Sequence, residues 1–298
     1  MKYKVLLEAS GSLTSNFLIK SVQDAGGFAI PSDINYCAAK YIGNDFAIVP
    51  KSDSPNLWNE LEKIINEKKI NVIIPSFDET LLEWSKRKNF FSKIGVNVII
   101  SDESTLKICQ DKWETYNFFK KIKIPTPNTS LENKYSIIKP RNGRGGKGIM
   151  INKKISSMEG MISQDILLGR EYTIDIFCDN KNYPIYIVPR LRLNVIDGKS
   201  TSGITIYNKK IENYVIKICS ELKFIGPVNF QCFENDNGDI SFLEINPRIA
   251  GGMSLGFEAT ENWISLIFKN IIEHKEVKIK EINYNLRMYR YYNEIFTK

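Results

Sequence analysis

Between Ile137 and Gly148 the chain runs Ile-Ile-Lys-Pro-Arg-Asn-Gly-Arg-Gly-Gly-Lys-Gly. An apolar pair leads into Lys139. Four glycines follow, interleaved with Arg141, Arg144 and Lys147, and Ile149, Met150 and Ile151 close the stretch. The pattern predicts strand, basic loop, strand. Glycines let the backbone come close to an anion, loop amides can point at phosphate oxygens, and the cations offset their charge. Gly143 to Gly148 match the glycine spacing of a dinucleotide fingerprint, but that motif needs a helix after the loop and a strand is expected here. A Walker loop is excluded, because Lys147 precedes a glycine and Arg141 stands where its first glycine belongs. The plainer alternative is a basic hairpin turn.

A second group of polar residues lies near residue 240. Gly226 to Phe233 and Ile240 to Asn246 predict two strands, joined by the turn signal Asn235-Asp236-Asn237-Gly238. Along the second strand Glu244 and Asn246 share a face, with Arg248 two residues on, while Leu243 and Ile245 face a core. Gln231 can reach the Glu244 face by cross-strand pairing. Polar side chains converging beside an apolar core are costly unless they bind something. One carboxylate and two amide oxygens suit Mg²⁺, a hard cation that shares its coordination with phosphates. A solvent-facing strand with unrelated polar residues is the alternative.

Composition removes other chemistries. The single histidine, His274, falls in a polar stretch, so triads, histidine metal sites and imidazole shuttles are poor candidates. Gly252 to Gly256 match a nucleophile elbow around Ser254, but no base is well placed, and a glycine-preceded helix start better suits a substrate carboxylate. The five cysteines are scattered without a close pair, which favours a reducing compartment over zinc or a disulfide framework. Residues 1–8 hold too short an apolar run for a signal peptide, and no run approaches membrane-spanning length. A cytoplasmic protein without membrane contact is expected. The net charge of +7 arises from 41 basic and 34 acidic residues, a moderate excess that suits anionic substrates and does not by itself suggest nucleic acid. Arg287 to Tyr292 interleave bases with aromatics, for which a docked terminal strand is the simpler reading.

The elements that must position these residues follow from periodicity. With 298 residues, 43% of them hydrophobic, the chain can form about two domains. Strands are predicted at Tyr3–Leu7, Phe28–Ile30, Phe46–Val49, Val72–Ile74 and Val96–Ile100, alternating with helices at Asn16–Ala25, Trp58–Lys68 and Thr80–Lys88. This alternation argues for an open parallel sheet, with Ser10, Gly11, Ser12, Asp78 and Glu79 at the strand ends where ligands bind. One helix is predicted over Leu106–Lys121, containing Asp111 and Lys112, and a weak one over Met158–Ile162. Strands follow at Tyr172–Cys178 and Tyr183–Leu193, with helices at Glu212–Leu222 and Phe257–Phe268.

In this order the pieces resemble the ATP-grasp superfamily over essentially the whole chain. Lys112, after Asp111, is similar to its first phosphate-contacting lysine. Lys139 and the loop Gly143, Arg144, Gly145, Gly146, Lys147 are similar to its second lysine and phosphate cover. Gln164, Asp165, Ile166 and Leu167 resemble the hinge that stacks adenine, with Glu171 on the ribose hydroxyls. Asp165 departs from the glutamate common there, which leaves pairing with adenine to the hinge backbone groups. Gln231, Glu244 and Asn246 match the metal set.

Within the superfamily, Gln231, the run Pro189 to Arg192 and the run Gly251 to Ser254 resemble the carbamoyl-phosphate-synthase-like carboxylate–amine ligases. The chain is far shorter than the duplicated synthase chain and carries one such unit, so that enzyme's own activity is not implied.

The resemblance implies an α/β fold. A pre-ATP-grasp domain with an open parallel sheet would span 1–103, followed by a two-lobed α+β ATP-grasp module: a small lobe, 104–168, and a large lobe, 169–298. It implies ATP with Mg²⁺, or Mn²⁺ in its place. Lys139, Arg190 and Arg248 would act on a small-molecule carboxylate joined to an amine, amino acids among them. A homodimer is a family expectation. A small-molecule kinase on the same fold and a non-catalytic nucleotide-binding subunit are the alternatives.

Overall fold

The computed structural model describes residues 2–12, 14–153, 155–196, 199–291 and 293–297. Tyr292 of the basic–aromatic tail lies outside them.

The first sheet contains β1 (Lys4–Leu7), β2 (Phe28–Asp33), β3 (Ala47–Ile48), β4 (Val72–Ile74) and β5 (Asn97–Val98), all parallel, in the order β3-β2-β1-β4-β5. Its connecting helices are α1 (Ser15–Asp24), α2 (Ala39–Ile42), α3 (Leu57–Lys68) and α4 (Asp78–Lys93). Strands buried on both faces explain the apolar runs. Leu6, Ile30 and Ile73 pack with Leu61, Ile65, Leu81 and Trp84 of α3 and α4. Val5, Leu7, Val72 and Ile74 face the other way, towards Ile19 and Val22 of α1 and Trp263, Ile264 and Phe268 near the C-terminus.

The helix predicted over Leu106–Lys121 is instead two helices, α5 (Glu103–Gln110) and α6 (Lys112–Lys121). Asp111 breaks it. Its backbone is extended and its carboxylate accepts from the Trp113 amide at 2.9 Å, which makes it the N-cap of α6. A four-stranded antiparallel sheet follows, ordered β6-β9-β7-β8, from β6 (Thr129–Ser130), β7 (Ile137–Pro140), β8 (Met150–Ile151) and β9 (Met161–Gln164). The expected weak helix over Met158–Ile162 is therefore replaced by a turn and strand β9, because pairing with Ile137–Pro140 satisfies its backbone. The basic loop joins β7 to β8.

The six-stranded sheet holds β10 (Arg170–Cys178), β11 (Pro184–Ile196), β12 (Lys199–Thr205), β13 (Gly226–Glu234), β14 (Ile240–Asn246) and β15 (Arg287–Tyr289), ordered β14-β13-β10-β11-β12-β15. Helix α7 (Lys209–Glu221) covers one face, where Ile211, Val215 and Ile218 meet Tyr172, Ile174 and Ile176 of β10. Strand alternation sends Glu171, Thr173 and Asp175 to the opposite face. There Phe177, Tyr186 and Val188 join the core shared with the first sheet. The expected continuous helix over Phe257–Phe268 is broken into α8 (Ser254–Glu258), α9 (Trp263–Leu266) and a π-helical turn over Ile267–Ile272. Asn262 causes the restart by accepting from the Ile264 amide. No helix among the described residues is long and apolar enough to cross a membrane.

Candidate active site

A cavity of about 470 Å³ lies where the three sheets meet. The first sheet contributes Glu8, Ser10, Ser12 and Ser76, and the loop contributes Gly143 to Lys147. Lys112, Lys139, Glu171, Arg190, Gln231, Glu244, Asn246 and Arg248 complete most of its polar wall. Gln164, Asp165, Ile166 and Leu167 do not line it. A hollow of 480 Å³ beside Ile34, Val49 and Glu60 has no comparable gathering of cations and oxygen donors.

Lys112 opens α6, so the Asp111 cap fixes its place. Arg141 grips the same carboxylate through Nε at 3.2 Å and Nη2 at 2.5 Å. The Lys112 amide donates to the Arg141 carbonyl at 3.0 Å, and its Nζ donates to the Gly143 carbonyl at 2.9 Å. Both ends of Lys112 are thus tied to the loop. Lys139, on β7, is buried and donates from Nζ to Gln164 Oε1 at 2.7 Å. Burial pulls Lys139 down to about 8; Glu244 opposes this and neighbouring Lys112 adds to it. Burial lowers Lys112 too. Two desolvated cations facing one open space are a receptor for a polyanion.

The loop crosses to the first sheet. Gly143, Gly145, Gly146 and Gly148 all have positive φ, which glycine adopts without strain. Between them Arg144 stacks 4.5 Å from the Phe77 ring centre and donates to Glu79 Oε1 at 3.2 Å, with Asp78 at 3.5 Å. The turn that presents Phe77 and Asp78 is itself pinned by Glu8. Its carboxylate accepts from Trp84 Nε1 at 2.6 Å, the Ser76 amide at 3.1 Å and Thr80 Oγ1 at 3.1 Å. Burial nevertheless pushes the Glu8 carboxyl above its usual range.

The β13–β14 register sets Gln231 opposite Glu244 and Asn229 opposite Asn246. Asn246 Nδ2 donates to Glu244 Oε1 at 3.0 Å. Among the described residues no three His, Cys, Asp or Glu side chains form a metal cluster. The donor set is one carboxylate with amide oxygens, beside two lysines. It fits a divalent cation whose remaining oxygens and balancing charge come from a bound polyphosphate.

The hinge residues lie just beyond the cavity. The Gln164 side chain is buried, shared between Lys139 and Thr129, to which it donates at 2.8 Å. Asp165 pairs with Asn128 through its amide at 3.0 Å and its carboxylate at 2.9 Å. Ile166 is exposed and Leu167 half-buried. Glu171 does line the cavity, ion-paired with Arg192.

Sequence reasoning missed Asp175 and Asn229. Asp175 is fully buried and holds Arg190 by Nε at 2.6 Å and Nη2 at 3.1 Å, while Asn229 Nδ2 donates to it at 2.8 Å. The only available signal was Asp175 on the polar phase of an otherwise apolar strand. Arg290 was missed as well; it enters the cavity from the tail. Ser254 is engaged by Met288, its Oγ 3.2 Å from Sδ, and does not line the cavity. His274 is exposed, 3.3 Å from Asn180.

Residues 109–252 match the family model of the ATP-grasp domain, and residues 11–99 match that of a PylC-like N-terminal domain. Residues 109–252 thus carry an ATP-grasp domain, the superfamily that the sequence resembles. It is 22% identical over 248 residues to the carbamoyl phosphate synthase large chain of Pasteurella multocida, covering 69% of this chain and 23% of that one. The chain therefore spans about a quarter of that relative's length. Among solved structures, the chain resembles the biotin carboxylase domain of Hydrogenobacter thermophilus 2-oxoglutarate carboxylase, in complex with MgADP, ADP and bicarbonate. The TM-score is 0.75 at 15% identity, over 95% of this chain and 73% of that one. The Staphylococcus aureus N5-carboxyaminoimidazole synthetase complexed with ADP gives 0.73 at 17% identity, over 95% and 80%. These likenesses concern the fold.

Proposed function

We propose that this ATP-grasp protein is an ATP-dependent carboxylate–amine ligase. The observation that carries the reading is the meeting, around one cavity, of Lys112 and Lys139, the Gln231–Glu244–Asn246 donor set, and Arg248. Phosphoryl transfer is catalysed mainly by positioning and by charge stabilisation, and these groups supply both.

Lys112, Lys139 and the loop amides hold the phosphates of ATP, and Glu171 faces its ribose. Gln231, Glu244 and Asn246 would hold Mg²⁺, which when bound neutralises charge on the transferring phosphoryl group. Arg248 orients the carboxylate of the acid, with Gly251 and Gly252 completing that end of the pocket. A carboxylate oxygen bonds to the γ-phosphorus as the bond to the β-bridging oxygen breaks, giving an acyl phosphate and ADP. The amine nitrogen then attacks the acyl carbon, the carbon–oxygen bond to phosphate breaks, and one proton leaves the nitrogen to solvent. The products are an amide, ADP and phosphate. The Arg144 contacts to Phe77 and Glu79 hold the loop across the cavity, where it shields the acyl phosphate from water.

Glu244→Ala tests the reading. The variant is expected to keep its circular dichroism spectrum and lose Mg²⁺-dependent ADP formation by at least about a hundredfold, the scale on which charge-stabilising groups act. Unchanged turnover would remove Glu244 from the metal set, and the mechanism with it.

A further inference from the structure

A ligase needs a seat for its amine, and the groups around phosphate, metal and acid leave one wall of the cavity without a role. That wall belongs to the first sheet. Glu8, Ala9 and Ser10 follow β1, and Ser76 follows β4. Strands β1 and β4 are neighbours. The sheet extends from β1 through β2 and β3 on one side, and from β4 to β5 on the other. This reversal opens a crevice at the carboxyl ends of the two strands, the place where open α/β sheets bind ligands.

The wall also differs in charge from the rest of the cavity. Lys112, Lys139, Arg190 and Arg248 stand on the other sides, whereas the first sheet contributes no lysine or arginine among the described residues. Arg144 crosses towards it but spends its charge on Glu79 and Asp78. Among the described residues three carboxylates line the cavity, Glu8, Glu171 and Glu244. Glu171 is paired with Arg192, and Glu244 belongs to the oxygen donor set. Glu8 has only neutral partners among the described residues: Trp84, Thr80 and the Ser76 and Phe77 amides. These bonds fix a half-buried carboxylate at the cavity wall without balancing its charge, which is costly in the free protein.

A cation would answer that deficit, and the position of Glu8 decides which cation. The turn that Glu8 holds runs into Asp78, which grips Arg248 by two bonds. The crevice therefore adjoins the end where the acid is activated, as the seat of a nucleophile must. Resting on the ligase reading, we propose that Glu8 binds the amine substrate as its ammonium ion, with the β1–β4 crevice as the amine subsite. One proton leaves the ammonium to solvent before attack. The amide nitrogen that results is neutral, so the product loses the contact with Glu8 and is released.

The test uses hydroxylamine, a small nucleophile that is uncharged at neutral pH and captures acyl phosphates as hydroxamates. An acid and an amine found by ADP release are compared with the same acid and hydroxylamine. Glu8→Gln should raise KM for the amine at least about tenfold, the worth of a charge-assisted contact, and KM for ATP far less. Amide formation should fall at least about tenfold more than hydroxamate formation. Equal losses would make Glu8 only the pin of the turn before α4 and overturn the proposal, as would an unchanged KM for the amine. If no acid drives ADP release with amine or hydroxylamine, the ligase reading fails on its own. Trp84, 2.6 Å from Glu8, then decides the subsite, and it does so equally if Glu8→Gln does not fold. Methylammonium chloride is titrated into the MgADP-loaded wild type, with sodium chloride as the control, and tryptophan emission is followed. A saturable change specific to methylammonium and removed by Trp84→Phe sustains the proposal. No such change, or one that survives in Trp84→Phe, overturns it.

Discussion

Arg248 and Asp78 stand 170 residues apart and close a two-bond ion pair, Nε to Oδ1 at 2.8 Å and Nη2 to Oδ2 at 2.6 Å. Arg248 follows the donor strand β14 and Asp78 opens α4 of the first sheet, so the two halves of the site are joined through the arginine proposed to meet the acid. Asp78 also faces Arg144 of the loop. One carboxylate thus positions both the acid-binding cation and the cover.

Asp78→Asn keeps the size of the side chain and removes its charge. It is expected to lower kcat about tenfold or more, because Arg248 loses a charge-assisted partner. ADP affinity should fall less than kcat, since neither Lys112 nor Lys139 is hydrogen-bonded to Asp78. Steady-state kinetics and a nucleotide titration check the split; equal losses in both would make Asp78 a general structural residue.

Lys139 gives a pH prediction with two opposite signs. Its pKa in the folded protein, about 8, lies below the 10.5 of an unperturbed lysine, chiefly through burial. Between those values the unfolded chain binds more protons, so this group's contribution to stability rises with pH. ATP needs the charged form, so affinity should fall as pH rises through about 8, and binding near pH 8.5 should take up protons. Calorimetry in buffers of different ionisation enthalpy measures that uptake, and Lys139→Met should abolish its Lys139-dependent part.

Much of this site was legible in sequence because its chemistry sits in local patterns. Lys139 with four glycines, and Glu244 with Asn246 on one strand phase, need only strand geometry to be recognised. The misses have tertiary causes. Asp111 looked like a helix interior because the apolar spacing continues past it, and its capping role depends on the turn it makes towards Arg141. Strand β12 was not anticipated, since Lys199 to Thr205 are mostly small and polar and become a strand by pairing with β11 and β15. Asn229 becomes a partner of Asp175 through the β10–β13 register. The docked terminal strand expected at Arg287 to Tyr292 is β15, but that Arg290 then reaches the cavity depends on its pairing with β12, an element the sequence did not signal.

Glycines 251 and 252 should behave differently. A β-carbon at Gly252 would lie 2.4 to 2.7 Å from three atoms of the buried Arg190 guanidinium, whereas one at Gly251 meets nothing within 4 Å. Gly252→Ala must displace Arg190 from Asp175 and is expected to cost about 3 kcal/mol, the range for breaking a buried ion pair. Gly251→Ala should stay within about 1 kcal/mol. Urea unfolding of both variants measures the contrast, and similar values would show that the pocket floor yields.

The central claim, activation of a carboxylate by ATP before an amine captures it, is tested most directly by following oxygen. With the acid identified by ADP release and labelled with ¹⁸O in its carboxylate, the products are analysed by mass spectrometry. The account predicts an amide in equal amount to ADP, with one labelled oxygen transferred from the acid to the released phosphate. Unlabelled phosphate, or a stable phosphorylated acid formed without any amine, would contradict it.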